Sequence, residues 1–225
     1  MPAGRALVGE RASESLEFLT ASFLASLIGL SLYLDLRRVF DVGLPSVLLL
    51  TLSAFAIHEF SHKLGARGLA GGGRFSITLT GSFYSLFLAS FLNAWGLLAP
   101  KVYVLLGLKP GEPYRLVPFR LMTLGTVIMR GRRRKEVVGR VALLGPSANL
   151  ALGWLMFSLA WSMGPLEFFL VGSALNAYTA LSALLPLAFC DGLSIYWWSK
   201  KAWLLSLLPT VGLVVLSNAL LLIWA

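Results

Sequence analysis

Six stretches of this chain carry no Asp, Glu, Lys or Arg: Phe18–Leu34, Val42–Ile57, Phe75–Pro100, Val141–Leu166, Phe168–Cys190 and Ala202–Ala225. Each is near the ~20 apolar residues that cross a bilayer as a helix, the first two being short for it. A transmembrane β-barrel would show segments of alternating polarity instead. Of 225 residues, 57% are hydrophobic and 13% charged, with a mean hydropathy of +0.80. A soluble domain carries about 25% charged residues. A water-soluble globule and a disordered chain are therefore excluded. The expected fold is an all-α polytopic membrane protein with about six transmembrane helices, forming a single integral membrane domain over 1–225.

Nineteen Lys and Arg against ten Asp and Glu give a net charge of +9. In a membrane protein such an excess marks cytoplasmic loops facing anionic lipid, so the bilayer rather than nucleic acid is the expected partner. Residues 1–17 are mixed in charge and lack the order of a signal peptide. Basic residues concentrate in 109–140, the one long polar region, expected as a cytoplasmic-side loop. Within it Leu121–Met129 is apolar, too short to span, and β-branched near its end. It predicts a short membrane-associated β element or a partly buried loop.

The chain has two histidines and one cysteine. His-rich metal sites, zinc modules built on several cysteines and an intrachain disulfide are thereby excluded. Both histidines fall in His58-Glu59-Phe60-Ser61-His62. Spacing i, i+4 puts the two imidazoles on one helix face, where they can bind one zinc ion. Glu59 beside them can take a proton from a water that zinc polarises. The bland alternative is a chance pattern at a helix end. Against it, ionisable groups ending an apolar helix are costly and usually functional. A catalytic zinc needs a third protein ligand. Apart from Glu59, only Asp191 among the acidic residues closes a long apolar helix in the later membrane core. It is the third ligand by elimination, with Cys190 as a substitute.

For these residues to share a metal, their helices must end on the same side. Plain counting of six helices puts them on opposite sides. A partial hairpin or re-entrant segment in 75–108, turning near Ala99-Pro100, removes the conflict. It also gathers every Lys and Arg except Arg37, Arg38 and Lys101 on the metal's side. The zinc site is therefore expected towards the cytoplasmic face of a multi-pass cell-membrane protein.

Gly145-Pro146-Ser147-Ala148-Asn149 opens the fourth apolar stretch, with proline suited to a first turn and glycine to close helix approach. Asn149 and Asn176 are amides that need partners when buried. Pro186 must kink or end its helix, freeing backbone groups that are tolerated beside a watery cavity. Tyr196, Trp197, Trp198 and Trp203 read with Lys200 and Lys201 as an interfacial belt.

Three segments together resemble the site-2 protease family of intramembrane zinc metalloproteases, in its compact prokaryotic form without a PDZ or CBS domain. HEFSH at 58–62 is the first. GTVIMRGRRRKEVVGRVALLGPSAN at 125–149 is similar to the family's strand, charged link and G-P-x-x-N helix start. NAYTALSALLPLAFCDG at 176–192 is similar to its N-x6-N-L-L-P-x4-D-G block. The resemblance defines a metalloprotease core over 42–192. It implies one Zn2+ held by His58, His62 and Asp191, Glu59 as catalytic base, and substrate contacts at Asn149, Asn176, Gly125, Thr126 and Val127. The substrate it implies is a single-span membrane protein, cut towards its cytosolic half. Ala183 stands where the family has a second asparagine, an amide taken to help hold substrate or oxyanion. Ser182, Tyr178, Thr179 and Asn149 are the candidates to replace it. Phe189 and Cys190 also depart from the family's pattern.

The expected function is hydrolysis of a peptide bond in or near a transmembrane segment. A substrate helix must unwind first, and the 121–129 strand can hold the unwound segment by β-augmentation. The alternative is a catalytically weakened member that binds membrane helices without cleaving them. Ala183 supports that reading; the intact His58, Glu59, His62 and Asp191 oppose it. A prenyl-protein endopeptidase also uses H-E-x-x-H but lacks the other two blocks. A zinc transporter needs a second acidic or His site, and a di-iron oxidase needs many more histidines.

Overall fold

The computed structural model describes residues 3–107, 116–129, 134–164 and 166–223. Residues 109–115 and 130–133 of the expected basic loop lie outside them. The elements run α1 (Ala3–Leu36), α2 (Leu44–Ala70), β1 (Gly73–Ile77), α3 (Leu79–Leu105), β2 (Gly125–Met129), α4 (Lys135–Met163), α5 (Glu167–Leu184), α6 (Asp191–Trp198) and α7 (Lys200–Ile223).

Among the described residues, five helical segments are long and apolar enough to cross a membrane: Ala12–Leu36, α2, Leu79–Val102, α4 and α7. The protein is polytopic and mostly helical. α5, expected as a sixth span, falls outside that group. Its 18 residues reach only ~27 Å at 1.5 Å each. It carries Ser173, Asn176, Thr179 and Ser182, all buried. α2, α4 and α7 pack around it, so these polar groups meet protein rather than lipid.

α2 starts with Pro45 in its first turn and stops at Gly71, whose φ of 67° is left-handed. The chain then enters β1, a strand that the reading of Phe75–Pro100 as one apolar run did not anticipate. β1 pairs antiparallel with β2, Phe75 opposite Val127 and Ile77 opposite Gly125. The outward N–H groups of Phe75 and Ile77 donate to Glu14 and Glu17 of α1, at 2.9 and 3.0 Å. Glu14 also pairs with Lys63, and Glu17 with Arg74. α1 thus seals the outer edge of β1, while among the described residues no further strand pairs with β2. Phe18, Phe55 and Phe75 interlock beneath the sheet, and the core continues through Ile28, Leu50, Val171 and Leu175.

The expected hairpin in 75–108 is corrected. α3 is one 27-residue helix, with Pro100 inside its last turns. The return to the sheet is made by residues 116–124, which run without helix or strand and are largely buried. It is therefore the longer stretch from β1 to β2, and not 75–108 itself, that begins and ends on one side. Extended backbone at membrane depth is stable only where protein satisfies it. Val117 N–H donates to Asn218 Oδ1 at 2.9 Å. Thr123 N–H donates to Ser85 Oγ at 3.2 Å. Leu124 O accepts from Thr78 N at 2.9 Å and from Ser82 Oγ at 3.3 Å.

Arg120 anchors this segment and is not the loop cation the sequence suggested. It is 1% exposed. Its guanidinium donates to Asp35 at the end of α1, to Asn93 of α3, to Ser31 and to Phe119 O. Removing one member of a buried pair strands the other charge. Arg120→Ala should therefore cost about 3 kcal/mol of stability in detergent. Asp35→Asn, which keeps an acceptor, should cost less. Equilibrium unfolding by titrated SDS measures both.

Candidate metal centre

α2 carries His58, Glu59 and His62 within its buried length, at 6%, 5% and 4% exposure. Asp191 arrives from another direction. α5 ends at Leu184 rather than continuing to the aspartate, because Pro186 cannot donate and Leu185 turns to extended backbone. Asp191 opens α6 instead of closing α5. A Cβ on Gly192 would collide with the carbonyl of Leu184, so this glycine lets α6 lie against the end of α5. The freed carbonyl of Leu184 accepts the Trp203 indole N–H at 2.8 Å. Of the expected interfacial belt, Trp197 is exposed, while Trp198 packs over Gly139 and Trp203 caps α5.

The sequence-predicted ligands converge. His58 Nε2 and His62 Nε2 lie 3.0 Å apart, and Asp191 Oδ2 is 3.2 and 3.1 Å from them. These three residues form a group that could hold a metal ion. Cys190 is buried beside them and is not part of that group.

The imidazoles are held from behind. His58 Nδ1 is 2.7 Å from Asn149 Oδ1, and His62 Nδ1 is 2.8 Å from Val141 O. Amide and peptide oxygens only accept, so both Nδ1 atoms are protonated. In the neutral rings each Nε2 then turns its lone pair to the centre. Asn149 is in turn fixed by donating to Ala54 O and Asn176 Oδ1. Asn149 and Asn176, expected at the substrate, are fully buried and stand behind His58, away from the cavity.

α4 begins at Lys135, so Gly145 and Pro146 lie inside it rather than at its start. The Val141 carbonyl, in the preceding turn, is the one that receives His62. A Cβ on Gly145 would sit 2.7 Å from His58 Nε2 and closer still to His62 Nε2. Only glycine lets α4 pass this near the centre.

A cavity opens on the group, lined on one side by His58, Glu59 and Asp191, and on the other by Gly125 and Thr126 of β2. Val127 does not line it; its side chain packs towards Gly73. Ala183 presents only a methyl group there. Phe189, also at the cavity, stacks on Tyr84 of α3 with centroids 5.2 Å apart. Glu59 Oε2 is buried without a hydrogen-bond partner.

Compared with protein-family models, with curated proteins and with solved structures, the chain matches none of them.

Outer hydrogen bonds orient metal-binding histidines, and losing one typically weakens metal affinity 10- to 100-fold. Asn149→Ala should lower the affinity for added zinc by about that factor. Titration against a chromogenic chelator measures it.

Proposed function

We propose that the protein is an intramembrane zinc metalloprotease of the site-2 protease type, cleaving a peptide bond in or near the transmembrane segment of a single-span membrane protein. The observation that carries this reading is the meeting of two Nε2 atoms and one carboxylate oxygen beside an unpaired buried glutamate, at a cavity. Tetrahedral zinc with bonds of about 2.0–2.1 Å keeps its ligands about 3.3 Å apart. The three observed separations of 3.0 to 3.2 Å suit it. Two histidines and one carboxylate also leave a fourth position free, the pattern of catalytic rather than structural zinc.

When bound, zinc supplies Lewis acidity, polarising the scissile carbonyl and making water a nucleophile near neutral pH. Glu59, whose Oε2 has no other partner, accepts the proton of the attacking water and returns it to the leaving amine. Asn149 and the Val141 carbonyl hold the imidazoles in the tautomer that ligation requires. β2 offers the substrate its backbone. Because Phe75 and Ile77 turn their N–H groups away from β2, their partners Val127 and Gly125 turn theirs to the free edge. An unwound substrate segment can pair there as a third strand. Gly125 also serves this role sterically, since a Cβ would lie 3.1 Å from Glu59 Oε1 and inside the Phe75 ring contact. The core over 42–192, the cell-membrane location and the cytoplasmic side of the metal are part of the same proposal.

The test pairs metal content with cleavage. Wild type and Glu59→Gln are purified in detergent, zinc is counted per chain, and each is incubated with a panel of single-span membrane proteins. About one zinc in both is expected. Cutting should fall by about 1,000-fold in the variant. Zinc in both with no cutting by either would favour a binding-only protein weakened at Ala183. No zinc in either would sink the proposal.

A further inference from the structure

Loss of the family's second asparagine at Ala183 leaves an open question of chemistry: which group steadies the substrate carbonyl as it gains charge. The four side chains that sequence offered are committed elsewhere. Asn149 stands behind His58. Ser182 Oγ donates to Thr179 O, and Thr179 Oγ1 donates to Leu175 O. Tyr178 OH pairs with Asn218. None of the four lines the cavity.

Thr78 does line it. Among the described residues, three buried side-chain nitrogen or oxygen atoms lack a hydrogen-bond partner: Glu59 Oε2, Arg74 Nε and Thr78 Oγ1. Two of these residues, Glu59 and Thr78, line the same cavity. Thr78 sits between β1 and α3, at the position where a threonine oxygen usually caps a helix by accepting a first-turn N–H. Here no such cap is made. The backbone is nonetheless pinned: Thr78 N–H donates to Leu124 O, and Thr78 O accepts from Ser82 N at 2.8 Å. The residue after Leu124 is Gly125, which Glu59 Oε1 approaches. Thr78 and Glu59 thus face one end of the sheet from two elements. Of the other two threonines that line the cavity, Thr126 is exposed, and Thr123 Oγ1 is 3.3 Å from Ser85 Oγ and already engaged.

Building on the protease reading above, we propose that the Thr78 hydroxyl donates a hydrogen bond to the scissile carbonyl oxygen and takes the place of the missing asparagine. A carboxylate can only accept, so Glu59 serves the water, while the hydroxyl serves the oxygen that becomes negative. A buried hydroxyl without a partner destabilises the resting protein. A substrate carbonyl is the partner it lacks. The polar group is therefore supplied at a cost to stability and used only when a peptide is present.

The test uses full-length wild type, Thr78→Val and Thr78→Ser, each with zinc counted per chain. The probe is a leucine-rich phosphinic peptide, whose tetrahedral phosphorus and anionic oxygens imitate the attacked carbonyl. Affinity is read by calorimetry, and thermal midpoints are read without peptide. Wild type should bind the probe only when zinc is present. Thr78→Val should keep its zinc yet bind about 100-fold more weakly, the usual loss for one oxyanion donor. Thr78→Ser should bind as wild type does. Without peptide, Thr78→Val should melt at the same temperature as wild type or higher. Unchanged probe affinity in Thr78→Val would overturn the inference and leave the protease reading standing. A lowered midpoint without peptide would also overturn it, showing an ordinary structural cap. Absence of zinc or of probe binding in wild type would overturn the protease reading, and this inference with it.

Discussion

Non-helical backbone inside a bilayer has no water to satisfy it, so each N–H and C=O there needs a protein partner. That constraint organises this molecule. The chain departs from helix at 116–124, at the two short strands and at 185–190, and at each place particular side chains complete the hydrogen bonding. Asn218, Ser85 and Ser82 serve the first. Glu14 and Glu17 serve the outer edge of β1. The Trp203 indole serves the end of α5. With these partners in place, irregular chain can surround a cavity, with Gly125 and Thr126 of β2 in its lining.

The same economy governs the group of His58, His62 and Asp191. Its members come from α2 and α6, and a side chain at Gly145 of α4 would collide with both imidazoles. One turn before Pro146, the Val141 carbonyl anchors His62. Asn149, one turn beyond Gly145, anchors His58. The G-P-x-x-N stretch of α4 is thus a scaffold for two imidazoles. Its asparagine holds His58 and does not line the cavity.

Much of the site was legible because histidine is so scarce here. Two in the whole chain, four residues apart with a glutamate between them, left little freedom, and elimination then reached Asp191. What elimination could not supply was context: Asp191 begins a helix rather than ending one, since the break falls at Leu185–Pro186. That the chain must come back to the side of the histidines before α4 was also legible, but the return was placed within 75–108, and it is made by 116–124 instead. Pro100 looked like a turn, yet a proline near the end of a helix removes a single bond and is tolerated. The returning segment resembled a polar loop because Arg120 is a cation, and its partner Asp35 lies 85 residues away. β1 was hidden in an apolar run, although three glycines at 71–73 followed by Phe75-Ser76-Ile77-Thr78 carry the alternation of a strand. The basic residues of 109–115 and 130–133 carry a charge argument about sidedness that contacts do not address.

On the proposed reading His58, His62 and Asp191 bind zinc as three ligands with an open fourth position. X-ray absorption at the zinc edge on the purified protein addresses it directly. The expected result is one zinc per chain, four nitrogen or oxygen neighbours at about 2.0–2.1 Å and an imidazole signature from two rings. Asp191→Ala should lose one light neighbour or the metal itself. A sulfur neighbour at about 2.3 Å would move the third ligand to Cys190 and contradict the account. A protein that takes up no zinc would contradict it entirely.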